Sequence, residues 1–212
     1  MIVESMNDFE FVKEVMTDYS EEMMAYVNRA MAYKGKLKKR HKSNYRSKRG
    51  NDWFLIYTPE RGGQSGMYVK RPQPNDWFTW YGLMLITTGI TLFGFNKHVA
   101  ERISERYYPN LTPSEALKTM LIRTPAIIQS ESNDSFYTHV DGGICIGSVY
   151  GKRIAIPSAS GEMVLPVELR ETRTFVANDM LFDDQKVITR ESIQNAINSL
   201  GKDYLPDSDR ST

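Results

Sequence analysis

WFTWYGLMLITTGITLFGF, residues 77–95, runs for nineteen residues without a charge, and the fold class turns on how it is read. As a helix it would be long enough to cross a bilayer. A spanning helix is richer in Leu, Ile and Val, whereas this stretch is broken by Gly82, Gly89 and Gly94 and carries Thr79, Thr87, Thr88 and Thr91. Its aromatic and β-branched content instead predicts two buried strands, about 78–87 and 90–95, turning near Thr88-Gly89, with no membrane span.

On the N-terminal side, strand-like runs at residues 53–58 and 67–71 flank a Gly-rich break at residues 59–66, which makes an antiparallel meander of four strands. On the C-terminal side, Asn96 can cap a short helix to about Tyr107. Thr112-Pro113-Ser114-Glu115 starts another: a cap residue, proline in the first helical position and glutamate at the third. That helix ends before Pro125. After a polar loop at 130–135 the pattern returns to strands at 136–140, 144–149, 153–156 and 163–176, separated by hairpin-type breaks. Pro166 implies an edge position or a bulge in the last strand. Asn178 or Asp179 opens a short helix, and Thr189 caps a further one with Ile193, Ala196, Ile197 and Leu200 on its apolar face. At the start of the chain, Asn7 and Glu10 form a capping box, followed by Phe9, Val12, Met16, Tyr19, Met23, Tyr26 and Ala30 at spacings of three and four. The expected fold is α+β: antiparallel β meanders packed with short helices, preceded by a long N-terminal amphipathic helix. Its parts are a helical arm (1–33), a basic connector (34–50), a globular domain (51–205) and a disordered tail (206–212). The apolar stripe of the arm, residues 9–30, packs either on the rest of the chain or on a partner helix or second copy.

Charge is unevenly placed. The whole chain carries a formal +1, but nine cations and no acid fall between Lys34 and Arg49, so the remainder is mildly acidic. Those nine, Lys34, Lys36, Lys38, Lys39, Arg40, Lys42, Arg46, Lys48 and Arg49, lie with Tyr33, His41 and Tyr45 in a segment of little apolar periodicity that reads as an exposed loop. Phosphates would neutralise such a patch, so nucleic acid is the expected partner, with an acidic protein surface or a merely solvated loop as the other readings. Cys145 is the only cysteine, which excludes an intrachain disulfide and a cysteine-based zinc site and suits the reducing cytoplasm. Residues 1–8 lack the pattern of a secretory signal.

Three histidines (His41, His98, His139) show no metal-ligand spacing, and neither a phosphate loop nor a serine-hydrolase elbow is present, so no metal or cofactor is expected. Two places could hold other chemistry. His98, Arg102 and Arg106 follow one another at i,i+4 on the helix after Asn96, beside an apolar row of Val99, Ile103 and Tyr107. Glu101 and Glu105 could simply pair with those cations. In the last strand, unbroken alternation puts Glu171, Arg173 and Phe175 on the core face with Leu165, Val167 and Leu169. That demands either a bulge or a polar site. His139, in Tyr137-Thr138-His139-Val140-Asp141, adds a titratable group.

A helix with His98, Arg102 and Arg106, a second short helix, and a meander ending in Arg170-Glu-Thr-Arg-Thr-Phe-Val176 resemble the barnase–EndoU–colicin–RelE-like group of small ribonucleases of toxins, phages and mobile elements. The resemblance covers about residues 95–188. It implies metal-independent RNA cleavage in which His98 or His139 takes the 2′-hydroxyl proton. Arg102, Arg170 or Arg173 would stabilise charge on the phosphorus oxygens, with Thr172 or Thr174 donating a hydrogen bond. The alternative is a non-catalytic binding or assembly protein that uses the basic segment and the helical arm.

Overall fold

The computed structural model describes residues 1–26, 28, 41–58, 64–86, 89–124, 128–132, 135–148, 152–157 and 164–200. Lys34, Lys36, Lys38, Lys39 and Arg40, most of the Gly-rich break and the expected C-terminal tail lie outside them. The fold is α+β. Two compact units emerge: Met1–Phe95 with Gly151–Arg170, and Asn96–Tyr150 with Glu171–Thr212. The division therefore falls after Phe95 and again inside the last strand, not at the basic segment, and the helical arm belongs to the first unit.

In the first unit, α1 (Asp8–Asp18) begins at the expected capping box, with the Asn7 side chain accepting from the Glu10 amide and Glu10 from the Asn7 amide. It continues as one π-helical turn, Tyr19–Met23. The strands are β1 (His41–Arg46), β2 (Asp52–Thr58), β3 (Gln64–Gln73), β4 (Trp77–Ile86), β5 (Gly89–Phe95), β9 (Lys152–Pro157) and the first half of β10 (Val164–Ala177). Their order is β1-β2-β3-β4-β5-β10-β9, with β1 to β5 an antiparallel meander. The uncharged stretch is thus a pair of strands, and no helix among the described residues is long and apolar enough to cross a membrane.

The buried face of α1 is Phe11, Val12 and Val15, packed with Met23 on Trp53, Leu55, Val69, Tyr81, Leu83 and Leu92. Phe9, expected on that stripe, is 48% exposed while Phe11 is fully buried. The helix is turned because its inner side also carries the carboxylates of Glu14 and Asp18, both buried. The face proposed for a partner is therefore largely covered within the unit. Asp8 anchors the start of α1 by ion pairs to Arg71 of β3 (2.8 Å) and Lys152 of β9 (2.5 Å).

The basic segment is not wholly a loop. Its described part forms β1, paired to β2 with His41 opposite Tyr57 and Arg46 opposite Asp52. Every residue of this strand is polar or aromatic, so its alternation leaves no hydropathy signal. Pro166, expected at an edge or bulge, is in a strand with neighbours on both sides: it lies opposite Ala155 of β9 and against the first residue of β5. That residue is Gly89, where a Cβ would come within 2.4 Å of the Pro166 carbonyl oxygen.

The second unit contains α2 (Lys97–Arg106), α3 (Pro113–Arg123), α4 (Asp183–Leu200) and an antiparallel sheet in the order β10-β8-β7-β6, with β6 Ile128–Ser132, β7 Ser135–Val140 and β8 Gly143–Ser148. α3 starts as expected: Thr112 caps it, Pro113 opens it and Glu115 completes the capping box. β6 occupies part of the expected polar loop. α4 begins at Asp183, six residues before Thr189, whose hydroxyl donates to the Gln185 carbonyl within the helix. The core of the unit includes Val99, Ile103, Leu117, Met120, Phe136, Ile144, Cys145 and Phe175.

Candidate nucleic-acid interface

Three carboxylates, one per helical turn, hold β1, the turn after it and the start of β2 from beneath. Glu22 accepts from the Tyr45 hydroxyl (2.6 Å) and the Lys48 amide (2.9 Å). Asp18 accepts from the Asn51 amide (2.7 Å) and the Trp53 indole N–H (2.9 Å). Glu14 accepts two hydrogen bonds from the Arg49 guanidinium, at 3.0 and 2.6 Å. Arg49 holds the Glu14 carboxyl down at about 2, and Glu14 in turn raises the Arg49 pKa. Arg49 is therefore engaged in structure.

The other described cations of the segment point away from that row. Ser43 and Tyr45 face inward, with the Ser43 and Tyr26 hydroxyls 2.9 Å apart, whereas Lys42, Asn44 and Arg46 are exposed on the opposite side of β1. Lys48 follows in the turn, also exposed. Residues opposed in an antiparallel ladder share a face. Lys42, Asn44 and Arg46 oppose Ile56, Phe54 and Asp52; Phe54 opposes Tyr68; two residues on, Lys70 opposes Trp80 and Pro72 opposes Phe78. Three cations and an aromatic row thus occupy one face of the sheet. The rings touch in sequence: Phe54–Tyr68 and Phe54–Trp80 at 6.2 Å, Phe78–Trp80 at 5.9 Å, and Trp77 stacked on Phe78 at 5.1 Å and 6°. The Lys70 ammonium lies 4.9 Å from the Phe78 centroid. Arg46, Asp52, Lys70 and Pro72, with Glu4 and Gly50, line a cleft of about 350 Å³. Arg46 is 3.9 Å from Asp52, and its side chain is 68% exposed. Sequence reading missed Lys70 and Phe78, because only the register reveals that they share a face with β1; Trp77, opposite Gln73, joins the row through its stack on Phe78. The available signal was Trp77-Phe78-Thr79-Trp80, an aromatic cluster at the start of β4.

In the second unit the expected catalytic residues are divided in their surroundings. His98 is exposed on α2, and Arg102 pairs with Glu105 (3.0 Å). Arg106 donates to the Phe175 carbonyl (2.6 Å) and the Asn96 side chain to the Thr172 carbonyl (3.2 Å), so both ends of α2 are fastened to β10. The β10–β8 register slips between Thr172 and Thr174, so Arg173 is the bulged residue; it is exposed, Thr174 is half-buried and Phe175 is buried. A bulge, one of the two explanations for charges on the core register, is what β10 uses, although Glu171 is already outward before it. His139 is buried, and desolvation lowers its pKa to about 4. Arg170 is also buried, paired with Glu168 at 2.8 Å, and belongs to the first unit.

A polar cluster that sequence reading did not single out ties α3 to the β7–β8 turn. Tyr108 donates to the buried Asp141 carboxylate (2.6 Å), Arg123 lies 3.3 Å from it, and the Asp141 amide donates to Thr124 (2.9 Å). Burial and Asp141 together raise the Tyr108 pKa. Gly142 follows with φ of +82°, and a Cβ there would meet the Tyr107 ring at 2.3 Å. Among the described residues no group of three or more His, Cys, Asp or Glu could hold a metal ion. No family model, curated protein or solved structure matches this chain.

Proposed function

We propose that the protein binds nucleic acid, RNA in preference to DNA, through the outward face of β1 and the cations that precede it in sequence. The carrying observation is the sorting of charges around β1. Arg49 is committed to Glu14, while Lys42 and Arg46 on β1 and Lys48 in the turn after it are exposed, with Glu22 holding Tyr45 and the Lys48 backbone from behind. A solvated charge run has no need of such a support, whereas phosphate contacts gain from cations held at fixed spacing. The preference for RNA follows from the ribonuclease resemblance. Retention of a labelled RNA on a filter, measured against salt for wild type and a Lys42→Gln/Arg46→Gln double variant, tests the reading. Binding that weakens with salt and weakens further in the variant supports it; absence of binding at low salt removes it.

Cleavage is a second reading, favoured by the fastening of α2 to β10 through Asn96 and Arg106, which brings the elements bearing His98, Arg102, Arg173 and Thr174 together. In it His98 takes the 2′-hydroxyl proton as the 2′-oxygen attacks phosphorus, the P–O5′ bond breaks to leave a 2′,3′-cyclic phosphate and a 5′-oxygen that takes a proton from water, and Arg173 stabilises the developing charge. His139 fits the base role poorly, since it is buried. RNA cut in the presence of EDTA by wild type but not by a folded His98→Ala variant supports this reading. Intact RNA on the same gel leaves the binding reading alone.

A further inference from the structure

β1 is the first strand of its sheet, and among the described residues no strand lies on its outer side. The hairpin that follows fixes which of its backbone groups face that side. The Ser47 amide donates to the Asn51 carbonyl (2.9 Å) and the Ser47 carbonyl accepts from the Gly50 amide (2.8 Å), so the polar backbone of Ser47 is turned inward. Successive residues of a strand point their N–H and C=O to opposite edges. By the register, Tyr45, Ser43 and His41 then bond to Trp53, Leu55 and Tyr57 of β2, while Arg46, Asn44 and Lys42 present both groups to the outer edge. Those three residues also carry exposed side chains.

An edge of this kind accepts another strand. Its outward N–H and C=O come as a pair at every second residue, about 6.8 Å apart. An extended peptide answers both, whereas a phosphate chain only accepts and is repelled by the carbonyls. Charge decides which peptide fits. A second copy of this chain, paired antiparallel about Asn44, would set Lys42 of each copy against Arg46 of the other, so like charges would oppose twice. An acidic strand makes the same positions opposite-charge pairs. β1 is already held for it from behind, where Glu22 accepts from the Tyr45 hydroxyl (2.6 Å) and the Lys48 amide (2.9 Å).

We infer that the outer edge of β1 is a docking site for an extended acidic peptide of another protein, added as an antiparallel strand with acidic residues opposite Lys42 and Arg46. The inference is independent of RNA binding, since the peptide takes the edge and phosphates would lie over the outward face. Both ligands use Lys42 and Arg46, so they exclude each other. Asp52 stands 3.9 Å from Arg46, whereas Lys42 lies opposite Ile56, so Lys42 contributes the stronger attraction.

The probe is a labelled peptide of about eight residues alternating glutamate and threonine, followed by fluorescence anisotropy with the full chain. The expected result is binding that weakens with salt, and binding about tenfold weaker for a peptide with lysine in place of glutamate. N-methylation separates strand addition from attraction of charges. In the antiparallel register the glutamate amides donate to β1, so methylating them costs about tenfold, whereas methylating the threonine amides, which point away, costs little. On the protein, Asn44→Pro deletes one outward N–H without breaking a bond to β2 and is expected to lose about tenfold in peptide affinity while RNA retention on a filter stays unchanged. Should that variant not fold, the methylated peptides decide the matter on wild type. If both methylated peptides bind like the parent, charge alone holds the peptide and strand addition is overturned. If the glutamate peptide does not bind at low salt, the docking site is overturned, and RNA retention shows separately whether β1 serves nucleic acid.

Discussion

Asp18 is fully buried, and its carboxylate receives the Asn51 amide and the Trp53 indole while Arg49 stands 4.0 Å from its other oxygen. Removing the acceptor strands two buried donors, so Asp18→Ala is expected to lose about 2–4 kcal/mol, read from urea unfolding. Glu14 makes an acid-side prediction. Its carboxyl lies at about 2 against an ordinary 4.5, so its contribution is complete above 4.5 and is lost as pH falls towards 2. The melting temperature of Glu14→Gln should accordingly fall less steeply than that of wild type across that window. His139 acts in a higher window. Burial lowers it from 6.5 to about 4, so the folded state resists a proton that the unfolded chain accepts. Stability should then decline as pH falls from 6.5 towards 4, and a folded His139→Gln variant should lose that dependence; an NMR titration placing His139 near 6.5 would sink the argument. None of the three buried acids under β1 was legible in the sequence. A charged residue on a helix is ordinarily read as solvent-facing, and donors brought from residues 45–53, with the N-terminal ammonium on Glu14, make burial tolerable.

The elements were most legible where a local rule has one strong outcome. Thr112-Pro113-Ser114-Glu115 specified the start of α3, and glycines and threonines at 77–95 specified strands rather than a membrane helix. β1 was illegible because both of its faces are polar, and the start of α4 because Thr189 bonds its own helix instead of capping it. On α1 the stripe was misread at Phe9, whose buried place Phe11 takes, while Val12 and Met23 are in the core and Met16, Tyr19 and Tyr26 pack against it. Phe11→Ala is therefore expected to cost about 3–5 kcal/mol, for it empties a site between Tyr81 (4.8 Å) and Arg71 (4.7 Å), whereas Phe9→Ala should stay within about 0.5 kcal/mol. Equal losses on chemical unfolding would show that the face is wrongly assigned.

At the scale of the whole molecule, the first unit is discontinuous in sequence, since β9 and the first half of β10 return to it from residue 151 onward. Ile156, Val167 and Leu169 belong to its core. A fragment ending at Phe95 should consequently fail to give a cooperative thermal transition, even though it holds α1 and the entire β1–β5 meander. The candidate site could be read from the sequence only as a run of cations. Its second half, Lys70 with Phe78, depends on two strand registers that no local pattern encodes. Electrostatic binding has its own signature at this scale: replacing both Lys42 and Arg46 with Gln should lower the slope of log affinity against log salt by about 1–1.5 for a single-stranded RNA. An unchanged slope would move the phosphate contacts elsewhere.

The Glu14–Arg49 pair also constrains how the chain can diverge. Exchange of Arg49 alone leaves the buried Glu14 carboxylate to the N-terminal ammonium and Asn51, so among natural variants position 49 should keep a cation wherever position 14 keeps its acid. Lys42 and Arg46 are exposed, Arg46 with Asp52 3.9 Å away, and lysine and arginine should trade freely there. One short stretch of basic sequence would thus show two rhythms of drift, one set by the interior and the other by whatever the surface meets.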